Sequence, residues 1–157
     1  MAFIQLSEAQ NSGIRIMIFT EGTILKPRSK RFLFSFKNYV PIGDAAAIIS
    51  RWHSQGARID YCTSRKGRAA KVIADVLRRY GLKGERLYYR SKGQAYKDVV
   101  EAVKPDVLIE DDCKSIGGER QMCITQVDPE IKKSIESVVT REFEGIDSLS
   151  GRSFKVE

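Results

Sequence analysis

Four short apolar runs constrain the fold most: IRIMIF (14–19), RIDYC (58–62), RLYY (86–89) and DVLIE (106–110). Each ends in polar residues, and a stretch with helical spacing separates each run from the next. Near-continuous apolar strands are buried on both faces, and strands that alternate with helices form a mostly parallel α/β sheet. In such sheets ligands bind beyond the C-terminal strand ends, where the strand order reverses.

The intervening segments carry their own signals. Asp44 is placed to cap a helix over 45–55, with Ala45, Ile48, Ile49 and Trp52 on one face and Gly56 as the stop. A second helix is expected over 68–80, with Val72, Ile73, Val76, Leu77 and Tyr80 as its apolar stripe. A third, over 94–103, must end before Pro105, because a residue preceding proline avoids the helical region. MCITQV (122–127) reads as a fifth strand. Asp128-Pro129-Glu130 then starts a helix whose Ile131, Ile135, Val138 and Val139 would face inward. Residues 26–40 are basic and aromatic and suit a short hairpin or flap rather than a helix. One domain is expected over 1–150, with 151–157 a mobile tail.

Composition narrows the class. The formal net charge is +7, concentrated in KPRSKRFLFSFK (26–37) and SRKGRAAK (64–71), which would attract nucleotides, nucleic acid or acidic partners. No apolar stretch approaches the ~18 residues of a membrane span. The N-terminal MAFIQLSEAQNSG lacks a basic segment followed by a long apolar run, so no secretory signal is expected. Cys62, Cys113 and Cys123 lack C-x-x-C spacing, which points to reduced thiols, a cytoplasmic location and no zinc site. His53 is the only histidine and sits in a helix beside Trp52, which argues against a Ser-His-Asp or Cys-His mechanism.

The polar residues fall at the strand ends: Thr20-Glu21-Gly22-Thr23, then Thr63-Ser64, then Glu110-Asp111-Asp112, with Lys92 and Lys97 between the third and fourth strands. Acids at two strand ends suit a hard cation such as Mg²⁺. Hydroxyls and free N–H groups ahead of a helix suit phosphate oxygens. In this order the pattern resembles the haloacid dehalogenase-like superfamily of phosphohydrolases, over about residues 14–127. FTEGT (19–23) stands where that family has D-x-D-G-T. Thr63 matches its hydroxyl motif with Ser64 beside it, Lys97 (or Lys92) its lysine, and KPDVLIEDD (104–112) its acidic pair. The resemblance implies a three-layer α/β/α sandwich with a mostly parallel sheet and no large cap. It also implies phosphate binding by Thr63, Ser64 and Lys97, and Mg²⁺ held by Glu21, Asp111 and Asp112.

One position departs. The family's nucleophilic Asp is Phe19 here, and a phenyl ring can neither attack phosphorus nor ligate a cation. The second Asp is Glu21, one methylene longer. Three functions remain open. One is a non-catalytic member that binds a phosphorylated small molecule, a nucleotide or a protein partner. Another is a Mg²⁺-dependent phosphohydrolase with Glu21 as general base on a metal-bound water. The third is a nucleic-acid or protein-binding module acting through the basic patches, with KRFLFSFKNY (30–39) stacking bases.

Overall fold

In the computed structural model, which describes residues 1–155, the chain builds a six-stranded sheet and a separate two-stranded ribbon. The strands are β1 (Ala2–Gln5), β2 (Arg15–Phe19), β3 (Leu25–Pro27), β4 (Tyr39–Pro41), β5 (Arg58–Cys62), β6 (Arg86–Tyr89), β7 (Val107–Asp111) and β8 (Glu136–Thr140). The helices are α1 (Ala45–Ser54), α2 (Gly67–Arg79), α3 (Tyr96–Val103) and the short α4 (Pro129–Lys132). The sheet order is β1-β6-β5-β2-β7-β8. All neighbours run parallel except β1, which is antiparallel to β6.

The two-residue period of the strands sorts the core into two layers. Ile16 and Ile18 of β2, Ile59 and Tyr61 of β5, and Val107 and Ile109 of β7 pack with Ile48, Ile49 and Trp52 of α1 and with Ile73, Val76 and Leu77 of α2. Met17, Cys62, Tyr88 and Leu108 face the other way, onto Val99, Val100 and Val103 of α3 and the segment 122–127. The sheet is thus covered on both faces, as its continuous apolar strands require. The chain winds from β2 to β5 and β6 on one side and returns to β7 and β8 on the other, so the order reverses at β2.

Several elements differ from the sequence expectations. MCITQV is not a strand: Cys123–Gln126 forms a 3-10 turn. The Glu110 carboxylate accepts the backbone N–H groups of Cys123 (2.6 Å) and Ile124 (3.0 Å), which removes those donors from any ladder. The outer strand is β8, read from sequence as helix. Its Ser-Val-Val-Thr run pairs with the free edge of β7, from Val107↔Glu136 to Asp111↔Thr140, and branched side chains favour that pairing. Val139 therefore points outward, 43% exposed. β1 was not foreseen either, because four alternating residues, Ala2–Gln5, give little periodicity to read.

Asp44 occupies the N-cap position of α1 without a side-chain cap bond. The cap comes from across the fold, where Asp147 Oδ1 accepts the Asp44 N–H at 2.9 Å. The segment after Ser150, expected to be loose, is docked along its described part, while 156–157 lie outside the described residues. Trp52 Nε1 donates to the Arg152 carbonyl at 3.1 Å, and the Phe154 ring meets the Trp52 ring edge-on at 5.2 Å. Arg152 also pairs with Glu136 at 2.7 Å.

Candidate functional site

The C-terminal ends of β2, β5 and β7 meet at a cavity of about 450 Å³, whose lining includes Phe19, Glu21, Ser64, Arg65, Tyr96 and Asp111. β2 ends in a tight turn: the N–H groups of Thr23, Ile24 and Leu25 all point to the Thr20 carbonyl, at 3.2, 2.9 and 3.0 Å. Gly22 has a φ of +83°, and a Cβ there would stand 2.8 Å from Asp111 Oδ2. Only glycine admits both the positive φ and this approach of the β7 end to the β2 turn. The Thr23 hydroxyl then donates to Asp111 Oδ2 at 3.1 Å.

Phe19 turns to the α3 face of the sheet, where its ring meets Tyr96 edge-on at 5.3 Å and 80°. The site where the resemblance expects a reacting carboxylate is therefore part of an aromatic pair. Glu21 reaches the other way. Its Oε1 accepts the hydroxyl of Thr63, and its Oε2 accepts the Ser64 N–H at 3.1 Å and the Thr20 hydroxyl at 2.7 Å. The direction of the Thr63 bond is set by its neighbour. Arg65 N–H donates to Thr63 Oγ1 at 3.1 Å, which leaves the single hydroxyl proton for Glu21. The hydroxyl and N–H expected to hold phosphate oxygens hold the protein's own carboxylate instead.

The expected cation set does not assemble. Among the described residues, no three His, Cys, Asp or Glu side chains converge as a metal cluster. Phe19 has no lone pair, and both Glu21 oxygens already accept hydrogen bonds. Asp112 turns away to the N–H groups of Lys114 (3.2 Å) and Glu142 (3.3 Å). Asp111 stays in the cavity, with Oδ1 accepting the Cys113 N–H at 2.8 Å. Burial pushes its carboxyl above the usual range, and the Cys113 N–H and the Thr23 hydroxyl oppose that rise. Glu110 is pushed up by burial against the same kind of opposition from Ile124 and Cys123. The residues present do not fit a resident Mg²⁺.

The lysine is not in the cavity either. Tyr96 of α3 lines it and meets Phe19, whereas its neighbour Lys97, half-buried, is not part of the lining, and Lys92 lies exposed in the preceding turn. Positive charge at this end of the sheet comes from two arginines. Arg65 lines the cavity, and the Arg90 guanidinium lies over the Tyr96 ring at 4.2 Å. Glu142 also lines the cavity, where it accepts the N–H (3.1 Å) and hydroxyl (2.8 Å) of Ser115. Sequence reasoning missed it because it follows β8, which was read as helix. The Cys113 thiol is pushed up to about 12, by burial first and by Asp111 next, so the cavity holds no activated thiolate.

No protein-family model matches this sequence, and no curated protein matches it. Solved structures do. A chain of the Pnkp1/Rnl/Hen1 RNA repair complex superposes with a TM-score of 0.60 at 12% identity, over 87% of this chain and 46% of that one. A second structure of the Pnkp1/Rnl/Hen1 complex gives 0.59 at 10% identity, over 87% and 49%. D,D-heptose 1.7-bisphosphate phosphatase from B. bronchiseptica, complexed with magnesium and phosphate, gives 0.50 at 13% identity, over 87% and 97%. The chain spans about half the length of the first two. These likenesses show the fold alone: a mostly parallel α/β sheet with both faces covered by helices. Among the described residues no helix is long and apolar enough to cross a membrane.

Proposed function

We propose that this chain is a non-catalytic member of the phosphatase fold, a binding protein whose old phosphate cradle is closed by its own Glu21. The observation that carries this reading is the Glu21 carboxylate seated on the Thr63 hydroxyl and the Ser64 N–H. A phosphate oxygen would need those same two donors, and Phe19 offers nothing to attack it. The general-base alternative is weaker. Glu21 accepts three internal hydrogen bonds, and no carboxylate cluster stands by to hold a metal-bound water.

The cavity favours a different end of a ligand. Its walls include Phe19, Tyr39, Tyr96 and Phe143, and its charges are four carboxylates against the single guanidinium of Arg65. Aromatic walls suit a planar ring such as a nucleobase, and the four carboxylates repel a phosphate. A nucleotide would therefore enter base first, leaving its phosphate at the rim near Arg65. The free thiols of Cys62, Cys113 and Cys123 accord with a reducing compartment.

Purified protein with Mg²⁺ is assayed against nucleotides, sugar phosphates and a chromogenic phosphate ester, and its melting is followed with nucleosides and with inorganic phosphate. No turnover is expected, with stabilisation by a nucleoside but not by phosphate. Turnover that is lost in Glu21→Gln or Asp111→Asn would overturn the reading.

A further inference from the structure

The two basic stretches of the sequence are 27 residues apart along the chain, counted from Lys37 to Ser64, yet the fold packs them against each other. β3 and the loop that follows it carry Lys26, Arg28, Lys30, Arg31 and Lys37, all exposed, and no acid occurs from Thr23 to Gly43. Lys66, Arg68 and Lys71 are exposed at the start of α2, again with no acid from Cys62 to Ala74. The loop is pinned to α2. Arg79 Nη1 donates to the Lys37 carbonyl at 2.8 Å, and the Arg65 guanidinium lies over the Phe36 ring at 4.8 Å. Phe36 in turn packs on Tyr39 at 5.4 Å, and the Tyr39 hydroxyl donates to the Leu33 carbonyl at 2.7 Å. None of these eight cations is ion-paired among the described residues.

The loop's phenylalanines divide. Phe36 is tucked against Tyr39 and Arg65, whereas Phe34 stands 86% exposed beside Leu33, which is 48% exposed and lines the cavity. A large aromatic held out in water within a field of unpaired cations has no role in the core. Its flat face and the surrounding charges match the two halves of a nucleotide chain, base and phosphate.

We propose that the face formed by the β3–β4 loop and the start of α2 binds single-stranded nucleic acid, with Phe34 stacking on an unpaired base and the lysines and arginines tracking the phosphates. A lipid surface is the poorer match, because one ring and one partly exposed leucine give little apolar area to insert. Duplex is the poorer match because its bases are already stacked on one another. This face meets the cavity at Leu33 and Arg65, while its eight cations lie outside the cavity lining.

Fluorescence anisotropy with a labelled 20-mer of oligo-dT tests it, beside the same-length duplex and vesicles of phosphatidylcholine with 30% phosphatidylserine. Neutralising about four phosphates predicts that affinity for the single strand falls about 50-fold between 50 and 200 mM salt. Phe34→Ala is expected to weaken binding about tenfold with the salt slope unchanged. The pair Lys30→Glu and Arg68→Glu, one change on each element, is expected to weaken binding and flatten the slope. Both lie on exposed positions, and unchanged melting temperatures check that the fold is intact. Absent oligonucleotide binding, binding that survives both changes, equal affinity for duplex, or binding to the vesicles alone would each overturn the proposal.

Discussion

Glu21 lies across the end of β2 with its carboxylate on the Thr63 hydroxyl and the Ser64 N–H at the end of β5. One methylene more than aspartate lets this side chain span the gap between neighbouring strands and supply the acceptor that these two donors use.

Removing that carboxylate should open the cradle. Glu21→Ala leaves Thr63 and Ser64 without their acceptor and is expected to destabilise the fold by about 1–3 kcal/mol in urea unfolding. Added inorganic phosphate should then raise the melting temperature of the variant and leave that of the parent unchanged. An equal response in both proteins would mean that Glu21 does not occupy an anion site.

Placing a carboxylate at position 19 should not by itself produce turnover. Phe19→Asp breaks the edge-on pair with Tyr96 and sets an acid against that ring, at an expected cost of about 2 kcal/mol in stability. Glu21 still fills the cradle, so the variant is expected to stay inert toward a chromogenic phosphate ester. Phosphatase activity from this single change would show that Glu21 yields readily to substrate.

Asp60 predicts an unusual pH dependence. It sits within the sheet, its side chain 1% exposed, 3.4 Å from Arg15 Nε. Burial raises its pKa from 3.8 to about 6, against the opposing pull of Arg15. The folded state thus holds this proton more tightly than the unfolded chain. The group's contribution to stability is complete below pH 3.8 and is lost as pH rises through about 6. A shift of this size corresponds to roughly 3 kcal/mol as an upper bound. The urea midpoint should therefore rise between pH 7 and 5, and Asp60→Asn should flatten that rise. Parallel profiles for parent and variant would count against the assignment.

The C-terminal segment should matter for stability. Phe154 is 9% exposed and packs on Trp52 at 5.2 Å. Phe154→Ala is expected to cost about 2–3 kcal/mol, at the low end for a buried aromatic, because the cavity left behind lies near the surface. A change under about 0.5 kcal/mol, the range of ordinary surface substitutions, would show that this docking contributes nothing.

Much of the fold was legible because its signals are local. The runs at β2, β5, β6 and β7 lie within a residue of the strands formed, and α1 carries its apolar stripe, and α2 all of its stripe but Val72, in the core beneath the sheet. The same locality placed Glu21, Thr63, Ser64 and Asp111 at the strand ends, since a parallel sheet gathers those ends at one edge. What failed was non-local. Nothing in MCITQV announces that Glu110 will take its backbone donors, and nothing in ESVVT distinguishes an edge strand from a helix face until β7 offers its free side.

The sequence by itself determined the α/β alternation from β2 to β7 and the phenyl ring at position 19, because apolar period and side-chain chemistry are written residue by residue. Only the tertiary structure decided that Glu21 turns inward onto Thr63 and Ser64, that Asp112 and Lys97 stay out of the cavity, and that two separate basic stretches pack against each other. Those outcomes depend on which donors and strand edges meet across the fold. That is settled by packing among residues far apart in the chain.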